Sequence, residues 1–169
     1  MSNWKSDTIQ SNGLKIAYTR TGGDKPAVVL VHGFSDDGLC WTPIAQRLEK
    51  QYDVIMVDAR GHGRSEGPEE GYGTATMADD LAGVITGLGL SKPIVMGHSM
   101  GGAPTMMLAA TYPDLPGKII LITGATGFLG AEVVRQLRGA NCRLRTTGRR
   151  ALPAHELPDY HPLDLCDAN

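Results

Sequence analysis

The sequence predicts a three-layer α/β/α sandwich on one mostly parallel sheet of about eight strands, and three observations carry that prediction. Solid apolar runs of strand length recur at 27–31, 54–57, 94–96 and 119–122, as strands covered on both faces require. Stripes of apolar residues at helical spacing separate them. The connections are short, which fits successive strand–helix–strand crossovers. At 169 residues the chain has about the length of one domain and can bury roughly two thirds of its unfolded surface.

Residues 14–19 alternate well enough for an edge strand after the Asn12-Gly13 turn, with 7–10 as hairpin partner. The run Ala27–Val31 is a buried strand ended by His32-Gly-Phe34, and Trp41, Ile44, Ala45 and Leu48 fall at helical spacing. Residues 54–57 form the next strand, closed by Asp58-Ala-Arg-Gly-His-Gly-Arg-Ser65, and 66–73 read as a loop. Met77, Leu81, Val84, Ile85 and Leu88 give a second helix stripe. Strand 94–96 then leads into Gly97-His-Ser-Met-Gly-Gly102 and a helix over 103–112, stopped by Pro113. Residues 113–117 are a natural joint. Beyond it come a strand at 118–123, the run Gly124-Ala-Thr-Gly-Phe-Leu-Gly130, a helix carrying Val133, Val134 and Leu137, a strand at 142–147, and a last short strand at 161–165.

Composition excludes several classes. A hydrophobic fraction of 41% with 20% charged residues is that of an ordinary soluble α/β protein. No apolar run approaches the ~20 residues that cross a bilayer, and the first ten residues are too polar for a signal peptide, so a cytoplasmic protein without membrane partners is expected. No nucleic-acid partner is expected, and the net charge is −2. It hides an asymmetry: residues 1–117 hold 9 Lys/Arg against 13 Asp/Glu, and residues 118–169 hold 7 against 5. Cys40, Cys142 and Cys166 are odd in number and lack metal or CxxC spacing, so reduced thiols and no metal are expected.

The chemistry begins at Gly97-His-Ser-Met-Gly101. A serine hydroxyl attacks a carbonyl only when it is exposed, activated by a base and faced by donors for the developing oxyanion. Glycines two residues either side of Ser99 permit the strand-to-helix turn that lifts it clear. With His32-Gly-Phe34 and Asp58-Ala-Arg-Gly-His-Gly-Arg-Ser65 upstream in that order, residues 14–121 resemble the α/β-hydrolase superfamily, in its small esterase, epoxide-hydrolase and haloperoxidase-like members. The resemblance implies Ser99 as nucleophile and the amides of Phe34 and Met100 as the oxyanion hole. His32 and His98 read as structural neighbours of these loops, and Arg60, His62 and Arg64 as fold residues of the turn beside the elbow. In that superfamily an acid and a histidine follow the serine. Here Gly148-Arg149-Arg150 stands where the acid is expected, and only His155 and His161 lie downstream.

The second chemistry is Gly124-Ala-Thr-Gly-Phe-Leu-Gly130, which follows a strand and opens a helix, the context in which backbone approaches a pyrophosphate. Residues 118–169 resemble the extended, epimerase-like branch of the short-chain dehydrogenase/reductase superfamily. The resemblance implies cofactor contacts from Gly124, Thr126, Gly127, Phe128, Leu129 and Gly130, from Arg149 and Arg150, which favour the 2′-phosphate of NADP, and from Asp164 and Leu165. The Tyr and Lys of hydride transfer are absent. Two unlike superfamilies, each cut where the other begins, predict an engineered hybrid of α/β-hydrolase (1–117) and Rossmann-like (118–169) fragments in one domain, 1–169. Such a chimera would test fold recombination without efficient catalysis, Ser99 being a vestigial nucleophile. Residual esterase activity and weak NADP binding are the alternatives. No cofactor is expected, with NADP the candidate if one binds, and the last strand offers an edge for a homodimer.

Overall fold

The computed structural model describes residues 4–122, 146–148 and 160–162. The chain divides into two compact units, Met1–Ile122 and Thr123–Asn169.

The first unit opens with an antiparallel hairpin of β1 (Lys5–Ser11) and β2 (Leu14–Arg20). Asn12 (φ 48°) and Gly13 (φ 80°) both take positive φ, the two-residue turn whose twist matches paired strands. Four parallel strands follow: β3 (Ala27–Val31), β4 (Asp53–Val57), β5 (Ile94–His98) and β6 (Lys118–Ile122). Their sheet has the order β1-β2-β4-β3-β5-β6. β2 is therefore interior and β1 is the edge. Only Tyr18, Thr19 and Arg20 of β2 pair with β4. The main chain before them is met by the loop after β4, where the Ala17 amide donates to Ser65 Oγ (2.7 Å) and the Lys15 amide to Glu66 Oε2 (2.8 Å).

Among the described residues three helices cover this sheet: α1 (Thr42–Leu48), α2 (Thr74–Gly87) and α3 (Gly102–Thr111). Strand side chains alternate between two cores. Val29, Val31, Ile55, Val57 and Val95 face Leu81, Val84 and Ile85 of α2 and Leu108 of α3, whereas Val28, Leu30, Val54 and Met56 face Trp41 and Ala45. That double cover is why β3 and β4 read as unbroken apolar runs. The first helix differs from its sequence pattern. Trp41 is buried, but in a 3-10 turn (Gly38–Trp41), and Ile44 is exposed, because Pro43 sits in the first turn and α1 starts only at Thr42.

The expectation of one sheet with about eight strands is corrected to a mixed sheet of six. In the second unit β7 (Thr146–Gly148) and β8 (Tyr160–Pro162) pair parallel with each other in a separate two-stranded sheet. A sequence pattern marks a strand-forming segment without naming its neighbour, since pairing is decided by tertiary register.

β3 lies between β4 and β5, so the strand order reverses there, and the ends of β3 and β5 flank the crevice that such a reversal opens in an α/β sheet.

Candidate active site

At the end of β5 the chain leaves extended geometry at His98 (φ −116°) and enters a 3-10 turn, Ser99–Gly101, that runs into α3. Ser99 is exposed and has φ 52°, a left-handed conformation that costs a non-glycine residue on the order of 1–3 kcal/mol. The glycines on either side show what holds it there. A Cβ on Gly97 would collide with the Gly101 carbonyl and stand 2.5 Å from Thr105 Oγ1. One on Gly101 would stand 2.5 Å from the Val31 carbonyl oxygen and 2.6 Å from that of His32. The elbow is thus pressed against the end of β3, and Thr105 Oγ1 donates to the Gly101 carbonyl (2.8 Å) to fix its helical side.

The loop after β3 passes beside the elbow at Gly33. A Cβ there would lie 3.4 Å from Ser99 Cβ, 3.3 Å from His98 Nδ1 and 3.2 Å from Asp36 Oδ2. The next residue, Phe34, is 77% exposed, and Met100 is partly buried within the 3-10 turn. The structure therefore brings the segments carrying Phe34, Ser99 and Met100 together.

His32 is fully buried and is no free base. Its Nε2 accepts the Ala59 amide (2.9 Å), which leaves the proton on Nδ1 to donate to the Gly33 carbonyl (2.6 Å). Burial holds the ring below its ordinary pKa range, against the Gly33 hydrogen bond, so the neutral form is favoured. The consequence reaches the rest of the loop after β3. In a trans peptide the C=O and the following N–H point opposite ways, so pulling the Gly33 oxygen toward His32 turns the Phe34 amide away from it.

The block after β4 is anchored rather than reactive. Asp58, 1% exposed, accepts the amides of Gly38 (2.9 Å) and Arg64 (3.0 Å) and Arg64 Nε (3.2 Å). Arg60 and Asp80 of α2 form a buried two-pronged pair (2.5 and 2.6 Å), and Arg60 Nη1 donates to the Gly71 carbonyl (2.7 Å). Cys40, in the same region, is a poor nucleophile: desolvation and the carboxylates of Asp36 and Asp37 push its thiol up to about 11. His98 meets the Trp41 ring edge-on at 6.2 Å. The packing of Trp41 under the elbow and the staple made by His32 carried no sequence signal beyond the short motifs themselves. Among the described residues no side chain hydrogen-bonds Ser99 Oγ, and no three His, Cys, Asp or Glu side chains are grouped to hold a metal.

The dinucleotide candidates Gly124, Thr126, Gly127, Phe128, Leu129, Gly130, Arg149, Arg150, Asp164 and Leu165 lie outside the described residues, as does His155. The NADP expectation falls on them entirely. His161 is in β8, in the second unit.

Comparison with known proteins places the chain's relatives. The family described as alpha/beta hydrolase fold matches residues 26–140. A 2-(acetamidomethylene)succinate hydrolase of Mesorhizobium japonicum is 38% identical over 103 residues, 61% of this chain and 37% of that protein. An N-formylmaleamate deformylase of Pseudomonas putida is 36% identical over 115 residues (68% and 43%), and epoxide hydrolase 4 of Mus musculus 32% over 117 (68% and 33%). Among solved structures, an epoxide hydrolase from an endophytic Streptomyces superimposes with a TM-score of 0.69 at 26% identity, over 73% of this chain and 38% of that one. The chain thus spans well under half the length of these relatives. No helix among the described residues is long and apolar enough to cross a membrane. The expectation of an engineered, catalytically empty chimera is overturned. The family match, residues 26–140, spans the supposed joint at 117–121 and the Gly124–Gly130 run, and the relatives are named hydrolases. The short motifs suggest two truncated halves because a glycine-rich turn after a strand serves more than one α/β family.

Proposed function

The chain belongs to the alpha/beta hydrolase fold family, and from that premise we propose that it hydrolyses a carboxylic ester or amide through Ser99. The observation that carries this reading is the strained, exposed Ser99 at the β5–α3 turn, beside the loop of Gly33. Ser99 Oγ attacks the substrate carbonyl, and the amides of Phe34 and Met100 receive the oxygen that becomes negative; the C–O or C–N bond then breaks, the departing alcohol or amine takes up the serine proton, and water cleaves the acyl-serine to release the acid and restore the hydroxyl. Such donors, fixed before reaction, supply about 10²–10³ in rate each. One relative's name, deformylase, denotes removal of an acyl group, which supports carbonyl chemistry. The proton of Ser99 needs a base, and the family order puts acid and histidine after the serine, beyond the side chains described around the elbow. The reading therefore assigns residues 4–122 the nucleophile and the oxyanion loop.

The test is labelling of the full chain with a fluorophosphonate and hydrolysis of p-nitrophenyl acetate, with Ser99→Ala beside it. Label on Ser99, and hydrolysis that falls by about 10² or more in the variant, are expected. Equal rates with and without the hydroxyl would refute the assignment.

A further inference from the structure

His62 makes two contacts that the roles above leave unused. Its Nδ1 lies 2.9 Å from the Arg60 carbonyl oxygen, within its own turn, and its Nε2 lies 2.9 Å from the Phe34 carbonyl oxygen, in the loop after β3. The ring stands edge-on to His32 (centroids 5.1 Å apart) and to Phe34 (6.0 Å). The two imidazoles therefore bridge the same pair of loops at successive peptides. His32 ties Gly33 to Ala59, and His62 ties Phe34 to the turn at Arg60.

The turn carrying His62 is itself rigid. Asp58 grips the amides of Gly38 and Arg64, and Arg60 is locked to Asp80 on α2, so the imidazole is presented from a fixed base. Phe34 by contrast is 77% exposed, and its ring meets the His62 ring edge-on. Among the described residues its carbonyl is the one main-chain acceptor in this loop that a side chain from the β4 loop reaches. With His32 fixing the peptide before Phe34 and His62 fixing the peptide after it, φ and ψ of Phe34 are both constrained, and so is the direction of its amide.

We propose that His62 is a positioning residue for the oxyanion hole, acting through its Nε2–H to the Phe34 carbonyl, which rests on the reading of Ser99 as nucleophile. The two contacts can be separated by substitution. Both partners are carbonyl oxygens and a neutral imidazole has one N–H, so the tie to Phe34 is the Nε2–H tautomer; a glutamine amide nitrogen stands near Nε2 and can donate to Phe34, whereas an asparagine nitrogen stands near Nδ1 and can reach only the Arg60 carbonyl. Leucine restores neither.

The experiment measures kcat and KM on p-nitrophenyl acetate, and hydrogen exchange of the 33–36 backbone, for the full chain and its His62→Gln, His62→Asn and His62→Leu variants. The expected result is kcat lowered by about tenfold or more in the Asn and Leu variants, KM within about twofold, and kcat within about threefold of the parent in the Gln variant. Exchange at 33–36 should quicken in Asn and Leu and not in Gln. Asn and Gln behaving alike, or exchange unchanged in all three, overturns the proposal. If the parent shows no Ser99-dependent turnover the serine reading fails. The exchange pattern then still decides whether His62 holds the loop.

Discussion

A methyl group at position 101 would stand 2.5 Å from one carbonyl oxygen at the end of β3 and 2.6 Å from the next, and neither backbone atom can step aside without moving the central strand. Gly101→Ala is therefore expected to cost about 1–3 kcal/mol as an overpacked core substitution, read as a lower urea midpoint, and to abolish Ser99 labelling under conditions where the protein is still folded. A variant as stable and as reactive as the parent would show that the elbow does not press on β3. His32 gives the pH-dependent counterpart. Its folded pKa is lowered by burial from an ordinary value near 6.5, so below that value the unfolded chain binds a proton that the native ring resists. Stability should be complete above about pH 6.5, fall as pH drops through the window between the unfolded and folded values, and level off beneath it. Urea midpoints at pH 7.5, 6 and 5 check this. His32→Gln, uncharged throughout, should start less stable by about 1–3 kcal/mol for its disturbed buried hydrogen bonds and show a shallower slope.

At the scale of elements, α2 is the part on which the loops above the sheet depend. Its Gly83 lies against the β1 turn, where an added Cβ would overlap Ser11 Oγ and approach Ser11 Cα to 3.2 Å, and that hydroxyl donates to the Asp80 carbonyl (2.7 Å). Gly87, one turn on, would meet only the end of the Ile9 side chain, Cδ1 at 2.5 Å. Replacing glycine by alanine gains up to about 1 kcal/mol inside a helix and less at Gly87, the last residue of α2, yet the two sites should part company because only Gly83 meets main chain. Gly87→Ala is expected within about 0.5 kcal/mol of the parent, or above it, while Gly83→Ala should lose stability in spite of its larger propensity gain. Thermal midpoints of the two variants in parallel decide it, and equal midpoints would mean that β1 yields freely. From the same helix Asp80 holds Arg60, both side chains under a tenth exposed. Asp80→Leu alone should cost about 3–5 kcal/mol by stranding the guanidinium, and Arg60→Met with Asp80→Leu should recover most of it. Additive losses in that cycle would deny the pair its coupling.

For the whole molecule, what the sequence revealed follows the range of the interaction responsible. The strands at 27–31 and 54–57 were readable because both of their faces are buried, and the Ser99 elbow because Gly97 and Gly101 are needed within four residues of each other. The length of α1 was less readable, because Trp41 is buried from a 3-10 turn rather than from the helix its spacing suggested. Strand partners are not readable from the pattern, and β7 and β8 pair with each other. The loops were read as motifs without their ties, since contacts such as Gly33 to His32 to Ala59 join segments far apart in sequence. That dependence on long-range contact predicts how the first unit unfolds. Its two cores lie on opposite faces and share only β3, β4 and their neighbours, with no helix in common. Both tryptophans, Trp4 and Trp41, belong to the core on the α1 side, so their fluorescence reports that face alone. Leu108, fully buried on the α3 side, and Met56, fully buried beside Trp41, should each lose about 2–5 kcal/mol on truncation to alanine. If the sheet transmits the loss, Leu108→Ala will move the fluorescence midpoint in urea as far as its own cost requires, just as Met56→Ala does, with m unchanged. A fluorescence midpoint indifferent to Leu108→Ala would mean that the faces unfold separately and that the strained elbow is held from one side only.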